Sequence, residues 1–335
     1  MTDLDQDIDR FRRELDALVK PEATVGVAVS GGPDSLALLV LAAAARPLQV
    51  EAATVDHALR PESRAEAEMV AQVCERLGVP HTILTATWKN KPESAIQEQA
   101  RLVRYRLLGD WAGERELIAL LTAHHLDDQA ETFLMRLSRG AGVKGLAGMR
   151  RVSWAPGGNL PILRPLLGWR HSELEAVCAR SGLEPAEDPS NADEQFERVR
   201  IRKALDGAAW LDPAAIAESA GHLAEADGAL HWATDLEWKR AVSASDGEIL
   251  YRPSDAPREI RRRILRRSIL KLATEGGGAE PRGRELDQLL AALASGKRAT
   301  LRGVLCIGGA EWRFSRAPAR RPAPQSAKIG AVEGQ

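Results

Sequence analysis

The residues best placed to do chemistry are Ser30-Gly31-Gly32-Pro33-Asp34-Ser35. Val25, Val27 and Val29 alternate with small residues before them, and Leu36, Leu38 and Leu39 follow at helical spacing, so the stretch reads strand, tight turn, helix. Such a turn leaves unpaired backbone N–H groups at the positive end of a helix dipole, where a phosphate fits. Gly31 and Gly32 let the backbone approach closely, Pro33 opens the helix, and Ser30 and Ser35 add hydroxyl donors. A carboxylate at Asp34 makes sense beside phosphates when a divalent cation sits between them, since hard cations such as Mg²⁺ take oxygen ligands from both sides. A Walker A loop needs Gly-Lys-Ser/Thr, and no lysine stands here. The dinucleotide fingerprint lacks its third glycine. The bland alternative is an ordinary left-handed turn with two glycines.

Further polar clusters follow apolar runs. Asp56-His57 follows Leu48–Val55, and His124-His125-Leu126-Asp127-Asp128-Gln129-Ala130-Glu131 follows Leu117–Thr122. Asp128 and Glu131 are three apart, hence neighbours on a helix face, where they share a divalent cation with Asp34; the alternative is that Asp127 or Asp128 caps the helix. Arg101 and Arg104, one helical turn apart, reach a phosphate or a substrate base, or else form surface pairs with Glu98 or Asp110.

The elements that position these residues alternate. The runs Leu48–Val55, Thr82–Leu84 and Leu117–Thr122 are separated by the helical stretches Glu62–Leu77 and Glu93–Trp111, the pattern of a parallel sheet covered on both faces. In such a sheet ligands gather at the carboxyl ends of strands, where the polar clusters lie. Leu4, Ile8, Phe11, Leu15 and Leu18 form the apolar face of a leading helix that ends by Pro21. Ser138–Met149 holds four glycines in twelve residues and reads as a flexible loop closing over the cleft. Pro213–Ala241 is an alanine-rich helix whose Trp232 and Trp238 read as packing residues, and the composition changes at Ser243–Glu248. A helix capped by Ser254 or Asp255 then carries six arginines within Arg258–Arg267. Arg284–Ser295 reads as a helix and Ala299–Phe314 as a hairpin or short sheet.

With 335 residues, 44% hydrophobic residues and a formal net charge of -1, the chain is globular and long enough for two domains of ~100–200 residues. Any nucleic-acid surface must therefore be local. No apolar run approaches a membrane span and the first twenty residues are not signal-like, so the cytoplasm is expected and no membrane partner. Cys74, Cys178 and Cys306 are scattered, which excludes a disulfide framework or a zinc cluster and favours small core hydrophobes.

The turn Ser30–Ser35 resembles the SGGxDS signature of PP-loop ATP pyrophosphatases. The ordered set VDHALRPES, ARLVRY, HHLDDQAETFLMRLSRGAGVKGLAGM, PILRPLL at Pro161–Leu167 and EDPSN at Glu187–Asn191 narrows this, and resembles the tRNA(Ile)-lysidine synthetase family over residues 25 to about 205. One departure is Val199, where the family generally has asparagine. The resemblance implies an α/β protein. A parallel-sheet PP-loop domain (adenine nucleotide alpha hydrolase-like) over 1–205 is followed by a helical linker over 206–245, a smaller α+β tRNA-binding domain over 246–317 and a disordered tail over 318–335.

It further implies ATP and Mg²⁺ as cofactors, with free L-lysine and a tRNA(Ile) bearing a CAU anticodon as partners. Ser30, Gly31, Gly32, Pro33, Asp34, Ser35, Asp56 and His57 would bind ATP; Asp34, Arg101, Arg104, Asp128 and Glu131 would be catalytic; Asp34 and Asp128 would hold metal. His125, Asp128, Glu131 and Arg202 would bind lysine, while Arg198, Arg261, Arg262, Arg263, Arg266 and Arg267 would bind tRNA. Oligomeric state stays open, a homodimer being one option. Rival readings are a thiolating PP-loop tRNA enzyme, disfavoured by the missing cysteine pairs, a PP-loop amidotransferase acting on a metabolite, and a nucleotide-binding regulatory module.

Overall fold

The computed structural model describes residues 2–59, 62–88, 96–158, 160–186, 195, 197–253, 255–273 and 280–318. They form two compact units, Met1–Asp227 and Gly228–Gln335. The EDPSN stretch, Arg60, Ser254 and the tail from residue 319 lie outside the described residues.

The first unit contains Asp3–Asp16 (α1), Val25–Ala28 (β1), Pro33–Ala45 (α2), Val50–Asp56 (β2), Glu62–Leu77 (α3), His81–Thr85 (β3) and Ile96–Glu114 (α4). Then come Leu120–Leu121 (β4), Leu126–Leu137 (α5), Val143–Leu146 (α6), Val152–Trp154 (β5), Pro161–Leu163 (β6), His171–Arg180 (α7) and Glu197–Asp206 (α8). Helix Pro213–Ala241 (α9) runs across the boundary between the units. Its bounds are those read from the sequence, but Trp232 is 66% exposed rather than packed.

The sheet order is β3-β2-β1-β4-β6-β5, with every pair parallel except the edge pair β5–β6. From β1 the chain builds outward through β2 and β3, then returns to the far side of β1 as β4. The direction of winding reverses between β1 and β4, and this is the point at which open α/β sheets form a ligand crevice beyond their strand ends. Strands β5 and β6 were not anticipated, because each is three residues long and too short to show a period.

Helix α2 is apolar on every side and is buried accordingly, with Leu36, Leu38, Leu39 and Leu41 at 0% exposure. Helices α1 and α7 pack against it. Helix α1 starts at a Thr2/Asp5 capping box and buries Phe11 and Leu15, but it ends at Asp16 in a turn that precedes Pro21. Gly26 in β1 is required by close packing, since a Cβ there would lie 2.8 Å from Cζ3 of Trp111. Gly26→Ala is therefore expected to destabilise the unit by about 1–3 kcal/mol through overpacking, read as a lower urea midpoint at unchanged m.

The second unit contains Val242–Ser245 (β7), Glu248–Tyr251 (β8), Arg258–Leu272 (α10), Gly283–Ala294 (α11), Arg298–Leu301 (β9), Val304–Ile307 (β10) and Trp312–Arg316 (β11). Its antiparallel sheet has the order β7-β8-β11-β10-β9. Tyr251, Cys306, Trp312 and Phe314 on one face join Ile264, Leu265, Ile269 and Leu293 in a core. The composition change at Ser243–Glu248 proves to be the β7–β8 hairpin, turned at Asp246-Gly247 with Gly247 at φ 79°. The cap of α10 is Pro257, with no side-chain cap bond.

Candidate active site

Three helices begin at the crevice. The phosphate-type turn leads from β1 into α2 with Gly31 at φ 91°, a conformation a glycine adopts without penalty, and Gly32 at the N-cap. Inside the turn, Ser35 Oγ donates to the Gly32 carbonyl (3.0 Å) and accepts from the Ser30 N–H (3.1 Å). The Cys178 thiol reaches the Pro33 carbonyl at 3.1 Å, and the Ala186 N–H donates to the Gly31 carbonyl at 3.0 Å, so α7 and the segment after it brace the turn.

The second start is α5, which follows β4 with His125 as N-cap, and the third is α7. They are tied to each other. Asp127 Oδ2 accepts the His171 N–H at 2.7 Å, and the Leu126 N–H donates to the Trp169 carbonyl at 2.8 Å. Of the two aspartates, Asp128 reaches back to the N–H of its own N-cap, His125, at 3.1 Å, while Asp127 serves the first turn of α7. The cap of α7 is Arg170, whose N–H is held by Glu173. His171 is thereby free to turn its ring toward α2.

Asp34 is where the three starts meet. Its Oδ1 lies 2.7 Å from Nδ1 of His171, and its Oδ2 lies 3.5 Å from Nε2 of His125. The same His125 nitrogen is 3.7 Å from Asp128 Oδ1, and its Nδ1 is 3.4 Å from Asp127 Oδ2. Burial works against ionisation of Asp34, yet the two imidazoles hold its carboxyl well below the usual range. Burial likewise opposes a charge on His125, but Asp127, Asp34 and Asp128 raise it to about 10. Asp128 is pushed up, first by its burial, against the pull of His125 and Arg198.

These shifts carry a sign for stability. His125 binds its proton more tightly folded than unfolded, so its contribution is complete below pH 6.5 and is lost as pH rises toward 10. The ligand-free protein should lose stability across that window with a slope of at most about 1.4 kcal/mol per pH unit. His125→Gln should flatten the slope in urea titrations run from pH 7 to 10.

On the other wall Glu131, 1% exposed, is held by Arg198 and by Arg202 Nε at 2.7 Å, and Arg198 also bonds Asp128. Val199, on the same helix α8, is 8% exposed and belongs to the core. Arg101 and Arg104 lie against the ring of Tyr105 at 4.9 and 5.3 Å. His124, whose Nδ1 is 2.9 Å from Thr122 Oγ1, is depressed to about 3, first by burial and then by Arg164, Arg198, Arg104 and Arg101. It is a neutral imidazole amid four guanidinium groups, a field suited to anions. His57 is lowered by burial and by Arg104. Asp56 is engaged as a loop clamp, accepting from the Ala58 N–H (2.8 Å) and Ser63 Oγ (2.6 Å).

Residues 4–208 match the family model of the PP-loop domain. A tRNA(Ile)-lysidine synthase from Novosphingobium aromaticivorans is 49% identical over 315 residues, covering 93% of this chain and 94% of the relative. One from Zymomonas mobilis is 43% identical over 302 residues, covering 89% and 90%. The chain belongs to the tRNA(Ile)-lysidine synthase family. It is thus an ATP-dependent ligase. Among solved structures, a U34-tRNA thiolase from Methanococcus maripaludis with its [4Fe-4S] cluster is similar at TM-score 0.55 and 18% identity, covering 66% of this chain and 79% of that one, a likeness of fold alone. The cysteines of this family member, Cys74, Cys178 and Cys306, are buried and free.

Within this lysidine-synthase fold the crevice gathers the turn residues with Asp34, His125, Asp128, Glu131 and Arg202, and the charge field links Arg101, Arg104 and His57 to it. Sequence reasoning missed His171 and the parts played by His124 and Arg164. The signal that points to His171 is that it closely follows the motif PILRPLL at Pro161–Leu167. Arg198, expected at the tRNA, instead clamps two carboxylates.

Two expectations need correction. The glycine-rich segment is not a free flap, since Arg136 Nη1 donates to the Gly145 and Gly148 carbonyls (2.8 and 3.0 Å) and Gln129 clamps Met149 from both sides. The arginines of α10 are not an open basic face. Arg262 pairs with Asp287 at 3.2 Å, Arg263 with Glu259 at 2.9 Å, Arg267 with Asp235 at 2.5 Å, and Arg266 with Glu280. Arg261 carries a buried Nε without a hydrogen-bond partner. The unit itself supplies acids that neutralise most of this charge.

Proposed function

We propose that the crevice ligates free L-lysine to C2 of the wobble cytidine in the CAU anticodon of a tRNA(Ile), using ATP. The cytidine C2 oxygen attacks the α-phosphorus and pyrophosphate leaves; the lysine amine then attacks C2 and AMP leaves. The carrying observation is the junction of the SGGPDS turn with the HHLDD turn through Asp34, which joins an anion site and an acid pair in one crevice. Backbone N–H groups at the start of α2, with Ser30, Gly31, Gly32, Pro33 and Ser35, would hold the phosphates. Arg101 and Arg104 would stabilise charge developing between base and phosphate.

Asp34 and Asp128 offer hard oxygen donors that face the same edge of His125, a set that fits Mg²⁺ bound through one or two carboxylates and the substrate's phosphates. When bound, Mg²⁺ supplies charge neutralisation at those phosphates. Asp128 and Glu131 would receive the lysine ammonium, with Arg198 and Arg202 fixing the carboxylates in place. The α10 arginines would exchange exposed carboxylate partners for RNA phosphates, at little cost because such surface pairs contribute little. No helix among the described residues is long and apolar enough to cross a membrane, in keeping with a tRNA substrate.

The test is incubation with labelled lysine, ATP and tRNA(Ile). Label entering the tRNA only with ATP and an intact wobble cytidine supports the reading, and no transfer at high enzyme sinks it. A thiolating activity is the second outcome to exclude, by sulfur incorporation in place of lysine.

A further inference from the structure

Mg²⁺ accounts for the oxygens around Asp34 but makes no use of the two imidazoles that face them. One ring nitrogen each of His171 and His125 and a carboxylate oxygen of Asp34 lie within 4.8 Å of one another. The rings are stacked at 5.4 Å with an interplanar angle of 28°, and each has a nitrogen near the Asp34 carboxylate. Donor atoms sharing one ion through bonds of about 2.0–2.1 Å stand about 2.9–3.4 Å apart. His171 Nδ1 stands 2.7 Å from Asp34 Oδ1 and His125 Nε2 3.5 Å from Asp34 Oδ2, each within a few tenths of an ångström of that range, so the two oxygens of one carboxylate each face an imidazole. The separations of 3.5 and 3.7 Å from His125 Nε2 to Asp34 and Asp128 are too long for good hydrogen bonds. His125 is 3% exposed, and its Nδ1 has no hydrogen-bond partner although Asp127 lies nearby. Three carboxylates around one buried imidazole make a field that favours positive charge, a proton on the ring or a metal ion in its place.

We infer that Asp34, His125 and His171 form a mixed imidazole–carboxylate site for a first-row transition-metal dication. Imidazole donors favour ions such as Co²⁺, Ni²⁺ or Zn²⁺ over Mg²⁺, which binds oxygen and keeps its waters. The inference deepens the reading of Asp34 as a cation ligand and rests on it. Its particular content is His171, which a site serving Mg²⁺ alone does not need.

The probe is Co²⁺ alone, added to the full chain without ATP and followed by calorimetry and visible absorption. One site per chain is expected, retained in a large excess of Mg²⁺. Affinity should fall at least about ten-fold in His171→Ala and in Asp34→Asn. His171→Gln keeps a hydrogen-bond donor for Asp34 but removes the ring nitrogen, and should lose Co²⁺ equally while its circular dichroism stays native. His222→Ala and His231→Ala, in α9, should bind as the parent does. Equal binding by the parent and His171→Gln, displacement by equimolar Mg²⁺, or loss confined to the α9 variants would overturn the inference. Pyrophosphate release with Mg²⁺, ATP and tRNA is measured separately. If it proceeds while Co²⁺ binding fails, this site falls and the ligase reading stands; the reverse pair of results removes the ligase reading alone.

Discussion

Asp34→Ala is expected to lower tRNA-dependent pyrophosphate release by about 10²–10³-fold, the usual scale for removing one group that stabilises charge in a transition state. Asp34 occupies the second position of α2, at the positive end of a buried helix, and answers two imidazoles on other elements. Its loss would remove the carboxylate proposed to hold a cation beside the phosphates, and leaves His125 and His171 without the carboxylate between them. The half-buried position limits the folding cost to about 1–2 kcal/mol, so the variant should remain folded at assay temperature. Near-normal pyrophosphate release would remove Asp34 from the metal role.

Glu131→Ala should separate the two half-reactions. Its carboxylate is almost wholly buried and compensates Arg198 and Arg202, so truncation leaves two guanidinium groups without their main partner. Breaking a fully buried pair costs about 3–5 kcal/mol, and the partial exposure of both arginines reduces this to about 2 kcal/mol. Lysine transfer is expected to drop about 10²-fold, while pyrophosphate release falls far less because the turn around Asp34 is untouched. Glu131→Gln, which keeps the volume and one acceptor, should recover most of the stability but not the transfer rate. An equal fall in both half-reactions would place Glu131 in adenylation instead of lysine binding.

The parts of this protein written in contiguous residues were legible before any coordinates. The strand–turn–helix at Val25–Leu39, the buried cysteines and helix Pro213–Ala241 all follow from local spacing, and local spacing is what periodicity reports. The chain also singles out Asp34 and Asp128, which stand where an apolar strand gives way to a helix start, and Glu131, one turn further along α5.

What the sequence could not settle is which groups meet across long separations. His171 is 137 residues from Asp34, and Arg198 is 67 from Glu131; no periodicity links such pairs, and only the winding of the sheet and the α5–α8 packing bring them together. The arginine helix makes the same point in reverse. Read alone, Arg258–Arg267 is a dense positive charge, yet Asp235, Glu280 and Asp287 arrive from other segments of its unit to neutralise it. The SGGPDS turn by itself specified a glycine turn feeding a helix start, since a helix start and its N–H groups are local. The imidazole environment of Asp34 was decided by tertiary structure, because it exists only where three helices begin at one point.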